Sequence, residues 1–120
     1  MKRILIVDDS AFMRRVIRNI VTKNGYDVVG EATDGLSGIE KYRKLLPDVM
    51  TMDLVMDEMN GMDALKQIIE EFPEANIIMV SSMSQDVIVR DAIVLGAKNF
   101  IHKPFDEEQV MDALNNLNLS

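Results

Sequence analysis

A chain of 120 residues with 48% hydrophobic and 28% charged side chains has the composition of one folded domain, not of a disordered segment. Its 13 basic and 20 acidic residues leave a formal net charge of −7, which argues against non-specific nucleic-acid binding and against attachment to an anionic membrane. Cysteine is absent, so no disulfide framework or thiolate metal site is expected, and no apolar stretch approaches the length of a membrane span.

The first apolar run, ILIVDD, predicts a strand that ends on Asp8 and Asp9, and these acids interrupt the run too soon for a signal peptide. Ser10 then caps a helix in which Phe12, Val16 and Ile20, with Met13, Ile17 and Val21, recur at helical spacing. Arg14, Arg15, Arg18 and Lys23 are expected to face water, and Gly25 to end the helix. Residues 27–32, DVVGEA, are less apolar and contain a glycine, which predicts an edge strand. A second helix from Leu36 to Leu45 stops before Pro47. The run DVMTMD, residues 48–53, predicts a buried strand that delivers Asp53 to the sheet edge.

A third helix begins near Gly61 or Met62, buries Met62, Leu65, Ile69 and Phe72, and is stopped by Pro73. The run NIIMVS is continuously apolar, as in a strand covered on both faces, and leads to Ser81 and Ser82. A fourth helix from Ser84 to Leu95 is closed by Gly96. At about 100° per residue it gathers Ile88, Val89, Ala92, Ile93 and Leu95 on one arc. Val87 and Val94 are left beside Arg90 and Asp91, a stripe that suggests a small partner surface. The strand Asn99–His102 leads to Lys103 and Pro104, and Asp106 with Gln109 makes a capping box for a last helix that buries Val110, Leu114 and Leu117.

Five strands alternating with five helices imply a doubly wound α/β fold, a parallel sheet with helices on both faces. Parallel strands put their C-terminal ends on one edge, so Asp8, Asp9, Asp53, Ser81 and Lys103 converge. Three neighbouring carboxylates call for a hard divalent cation, magnesium by default with manganese or calcium as substitutes. A cation, a carboxylate and a lysine together suit phosphoryl transfer. Asp53 is the expected nucleophile, with Lys103 and the Ser81 hydroxyl each meeting a phosphoryl oxygen. Asp9 is expected to hold the metal directly and Asp8 through water. His102, the one histidine, lacks co-ligands and is read as a strand residue of mixed burial.

The motifs VDDSAFMR (7–14), TMD (51–53), MNG (59–61), VSS (80–82) and KPF (103–105) together resemble those of receiver domains of two-component response regulators, and most nearly the single-domain chemotaxis regulators. The resemblance spans essentially the whole chain, residues 1–120, as one receiver domain. It implies a flavodoxin-like (βα)5 sandwich with strand order 2-1-3-4-5. Asp53 would accept a phosphoryl group from a histidine kinase, with Mg2+ held by Asp8, Asp9, Asp53 and the Val55 backbone carbonyl. The Lys103–Pro104 bond becomes a candidate cis peptide. Ser81 and Phe100 would act as a switch that biases a two-state equilibrium. A target such as a motor-switch or adaptor protein would bind the face made by the fourth helix, fifth strand and last helix, including Val87, Arg90, Asp91, Val94 and Phe100. Such a protein would be a cytoplasmic monomer, and not an enzyme in the sense of turning over an external substrate. One departure stands out: Asp57 occupies a position where the family usually has proline.

Three other readings share parts of this pattern. A haloacid-dehalogenase-type phosphatase needs an acid two residues after its nucleophile, where this chain has Val55. A flavodoxin-like electron carrier needs a hydroxyl-rich phosphate loop after the first strand, and DDSAF would repel a flavin phosphate. A phosphorelay intermediate or phosphate sink keeps the same chemistry and changes only the partner.

Overall fold

In the computed structural model the residues described are 2–56, 59–83, 85–117 and 119. Five strands, β1 (Lys2–Val7), β2 (Tyr26–Ala32), β3 (Val49–Asp53), β4 (Ile77–Ser81) and β5 (Asn99–His102), form one parallel sheet in the order β2-β1-β3-β4-β5. Helices α1 (Ala11–Lys23), α2 (Gly35–Leu45), α3 (Gly61–Glu71), α4 (Asp86–Leu95) and α5 (Glu107–Asn115) connect and follow them. The strand order reverses between β1 and β3, and a crevice at the C-terminal ends of the strands opens there.

The sequence pattern explains which strands are central. β3 and β4 are buried at every position, and Ile4 to Val7 of β1 are buried, as expected of apolar runs covered on both sides. Alternation sorts these side chains into two layers. Leu5, Val7, Met50, Met52, Ile77 and Met79 pack with residues of α2, α3 and α4 such as Ile39, Leu65 and Ala92. Ile4, Ile6, Val49, Ile78 and Val80 pack on the other side with Ile17 and Val21 of α1 and Val110 and Leu114 of α5. Strands β2 and β5 sit at the edges and are only partly buried. Thr51 is the one hydroxyl in the middle of β3. It lines a small gap with Ile17, Val80, Ile101, Phe105 and Val110, and its Oγ1 has no hydrogen-bond partner.

Helix starts follow local chemistry. The side chains of Ser10, Asp34, Asn60 and Asp106 each accept a backbone N–H from three residues on, at 3.2, 2.8, 2.9 and 2.9 Å. Gln109 returns its side-chain oxygen to the Asp106 N–H, completing the expected capping box. Helix α4 alone of the five has no side-chain cap.

Several expectations need correction. Strand β3 starts one residue late because Asp48 takes the Arg3 N–H with its carboxylate at 2.8 Å. In α3 the buried stripe is Ala64, Leu65 and Ile68, while Met62, Ile69 and Phe72 are half-buried, because the sheet meets the helix one position away from the expected arc. In α4 Ile93 is exposed, and Ala92 alone is fully buried. Phe12 is 68% exposed, since the first turn of α1 projects beyond the sheet. The expected helix start at Ser84 and the proline replacement at Asp57 lie outside the described residues.

Candidate functional site

The crevice gathers the expected residues from four strand ends. Asp8 and Asp9 follow β1, Asp53 closes β3, Ser81 closes β4 and Lys103 follows β5. One oxygen from each of the Asp8, Asp9 and Asp53 carboxylates lies within 4.8 Å of the other two. Lys103 Nζ donates to Asp8 Oδ2 at 2.9 Å and stands 3.5 Å from Asp53 Oδ2. Three carboxylates facing one ammonium leave two negative charges in a small volume. All donors are hard oxygens, which suits Mg2+, Mn2+ or Ca2+ and not zinc. His102 is no part of this group; it is exposed and its ring lies 5.2 Å from that of Phe100.

The two acids of the first motif sit differently. Asp8 is 1% exposed, its second oxygen accepting the Ser10 N–H at 2.9 Å, so it is fully engaged with protein donors. Asp9 is exposed and free to meet a cation. Burial pushes the Asp53 carboxyl above its ordinary value of 3.8; Lys103 draws it down, Asp8 and Asp9 push it up, and the Val55 backbone N–H draws it down. Val55, whose carbonyl is the remaining expected metal ligand, comes two residues after Asp53 on the loop leaving β3. Its side chain is exposed, as is that of Met83. Both line an apolar groove of about 350 Å3 with Met56, Met62 and Ile88.

Ser81 is buried, and its Oγ accepts the Met83 N–H at 3.1 Å, leaving the hydroxyl proton available for donation. Phe100 is half-buried on β5 opposite Met79. Val87 and Val94 are exposed at 52% and 77%, next to exposed Arg90 and Asp91 on α4, as the helical projection expected. The Lys103–Pro104 bond is cis.

Two further residues shape the site. A Cβ on Gly61 would meet the Asp53 carbonyl oxygen at 2.0 Å, so only glycine lets the start of α3 close onto the end of β3. Gly61 N–H then donates to Leu54 O at 2.8 Å and fixes the loop that leaves Asp53. The MNG motif held that signal, but the need for glycine shows only in the packing. Arg14, expected to face water, instead folds back: Nη1 donates to the Asp8 carbonyl at 2.8 Å and Nε to Glu31 at 3.0 Å. Burial works against the Glu31 carboxylate, but bonds and charge from Arg18 and Arg14 outweigh it and hold the carboxyl below 4.5.

Comparison with known proteins agrees with this geometry. Residues 4–115 match the family model described as the response regulator receiver domain. The chain is 54% identical over 114 residues to a chemotaxis protein CheY from Thermotoga maritima, covering 95% of each chain. It is 52% identical over 113 residues to a CheY from Bacillus subtilis, covering 94% of each. Among solved structures, a CheX-CheY complex with BeF3 and Mg2+ from Borrelia burgdorferi is similar at a TM-score of 0.93 and 34% identity, covering 94% of this chain and 86% of that one. With that match over most of its length and relatives above half identity, the chain belongs to the response regulator receiver domain family.

Proposed function

We propose that the protein is a single-domain response regulator of chemotaxis that accepts a phosphoryl group on Asp53. The observation that carries this reading is the cluster of Asp8, Asp9, Asp53 and Lys103 at one sheet edge, with a buried hydroxyl beside it. Asp9 and Asp53, with the Val55 carbonyl, would hold Mg2+, and Asp8 would act through water. When bound, the cation neutralises charge on the phosphoryl oxygens.

The protein groups do the rest. An oxygen of Asp53 attacks phosphorus in a histidine kinase's phosphohistidine or in a small acyl phosphate. A P–O bond to Asp53 forms as the P–N or P–O bond to the donor breaks, and the donor leaves with the electron pair. Lys103 pairs with one phosphoryl oxygen and the Ser81 hydroxyl donates to another. Hydrolysis then returns Asp53 to its free form, so the protein alters its own state and consumes no external substrate as its purpose. No helix among the described residues is long and apolar enough to cross a membrane, and a cytoplasmic location suits a kinase partner.

Movement of Ser81 toward the phosphoryl group would let Phe100 turn inward, biasing the face made by α4, β5 and α5 toward a target protein. Exposed Val87 and Val94 supply apolar area on that face. Intact mass after incubation with Mg2+ and acetyl phosphate tests the reading. One added phosphoryl group is expected in the parent and none in Asp53→Asn; an adduct in both would remove Asp53 from its role.

A further inference from the structure

We propose that Arg14 is a positioning residue for the cation pocket, holding the Asp8–Asp9 peptide in place by bridging the Asp8 carbonyl to Glu31. The proposal rests on reading the acid cluster as a divalent-cation site. Beyond the end of a strand the carbonyl of Asp8 has no ladder partner, and an unanchored peptide there would let the next side chain swing. The preceding peptide is fixed, because the Asp8 N–H donates to Ala32 O at 3.1 Å. The following one is fixed by Arg14, whose Nη1 meets the Asp8 carbonyl at 2.8 Å while Nε meets Glu31 Oε1 at 3.0 Å.

A planar guanidinium suits this task, since its donors are set in a rigid fork and one bond fixes the direction of the other. Its side chain is only 17% exposed, so the bridge is shielded from water. Glu31 is itself anchored: Arg18 Nε donates to its other oxygen at 2.7 Å, and the Lys41 ammonium donates to its backbone carbonyl. The anchor therefore ties α1 and the end of β2 to the peptide from which Asp9 projects. Among the described residues no hydrogen bond or ion pair holds the Asp9 carboxylate, so its direction depends on that peptide.

Charge and geometry predict opposite signs, which makes the idea testable. Removing a cation near the acids should tighten divalent-cation binding on Coulombic grounds. Removing a positioning group should weaken it, by about 10-fold for a contact one shell out from a ligand. The experiment is calorimetric titration of Mn2+ into the parent, Arg14→Ala, Arg14→Lys and Arg18→Ala, each checked for folding by circular dichroism. Weakening of about 10-fold is expected for Arg14→Ala and a smaller loss for Arg14→Lys, whose ammonium reaches the carbonyl without spanning both partners. Arg18→Ala, which breaks only the outer pair, should bind as the parent does or slightly more tightly. An Arg14→Ala affinity within twofold of the parent, or tighter, overturns the proposal. Equal weakening by Arg18→Ala overturns it too. If Arg14→Ala does not fold, Arg14→Lys decides: parent-like affinity overturns the bridging role. A parent that binds no Mn2+ removes the cation site itself, and with it anything to position.

Discussion

The two ends of the sheet handle charge in opposite ways. At the C-terminal edge, buried Asp8 and Asp53 share one lysine, with exposed Asp9 beside them, so negative charge is in excess. At the N-terminal edge, polar and charged groups find single partners and face water. Arg43 pairs with Glu71 at 2.5 Å, and Asp48 takes the Arg3 N–H. That end also holds the larger hollow, about 460 Å3, lined by Tyr42, Pro47, Phe72 and Pro73. Size therefore does not mark the functional end. The mark is charge kept away from water without a full set of partners, a cost that a folded protein carries where it has a use for the charge.

Replacing the cation at each end should break this contrast most visibly. Lys103→Ala strands Asp8 and Asp53 against each other, and is expected to lower unfolding free energy by about 3 kcal/mol in urea titrations without divalent cation. Added Mg2+ should recover part of the loss. Arg43→Ala, at the other end, should lower the urea midpoint only slightly, because an exposed pair contributes little. Equal losses would show that the two ends are not energetically different.

A smaller effect separates buried charge from buried polarity. Thr51 has an unpartnered hydroxyl two residues before Asp53, and Thr51→Val removes it while keeping the shape. A gain of about 1 kcal/mol is expected by the same urea assay. A loss would mean that the hydroxyl is satisfied in solution.

The smallest effect is in pH. The Asp53 carboxyl titrates above 3.8 in the folded chain, so the folded state keeps its proton longer and stability falls as pH rises through that range. The Glu71 carboxyl is held below 4.5, chiefly by its bond from Arg43, so its contribution is full above 4.5 and is lost as pH falls through the lowered value. In unfolding midpoints measured from pH 3 to 7, roughly the span over which carboxylates ionise, Asp53→Asn should gain on the parent as pH rises. Glu71→Gln should fall behind it. Parallel curves for all three proteins would contradict both assignments.

Much of this architecture is legible in the sequence. Apolar runs closed by acids or hydroxyls, and Ser10 and Asp106 ahead of helical spacing, are local signals, and local signals place elements well. Convergence of Asp8, Asp9, Asp53, Ser81 and Lys103 followed from parallel topology. What escaped was decided by tertiary approach. Helical spacing says where Arg14 leaves α1, not that a long side chain turns back to the Asp8 carbonyl. Nor does it fix how far each helix is rolled on the sheet, which is why Ile68 and not Ile69 is buried and why Ile93 is exposed. The 2.0 Å encounter that forbids a side chain at Gly61 exists only once β3 and α3 have met.

The bond from Lys103 to Asp8 joins residues 95 positions apart, and Asp53 lies between them in the chain. During synthesis the two acids after β1 emerge early, and the lysine that balances them emerges only after all five strands have been made. A nascent chain therefore presents the acids without the lysine that completes their cluster. The cluster is completed in one step, with the last strand, and every molecule that holds it is one that has finished assembling its sheet.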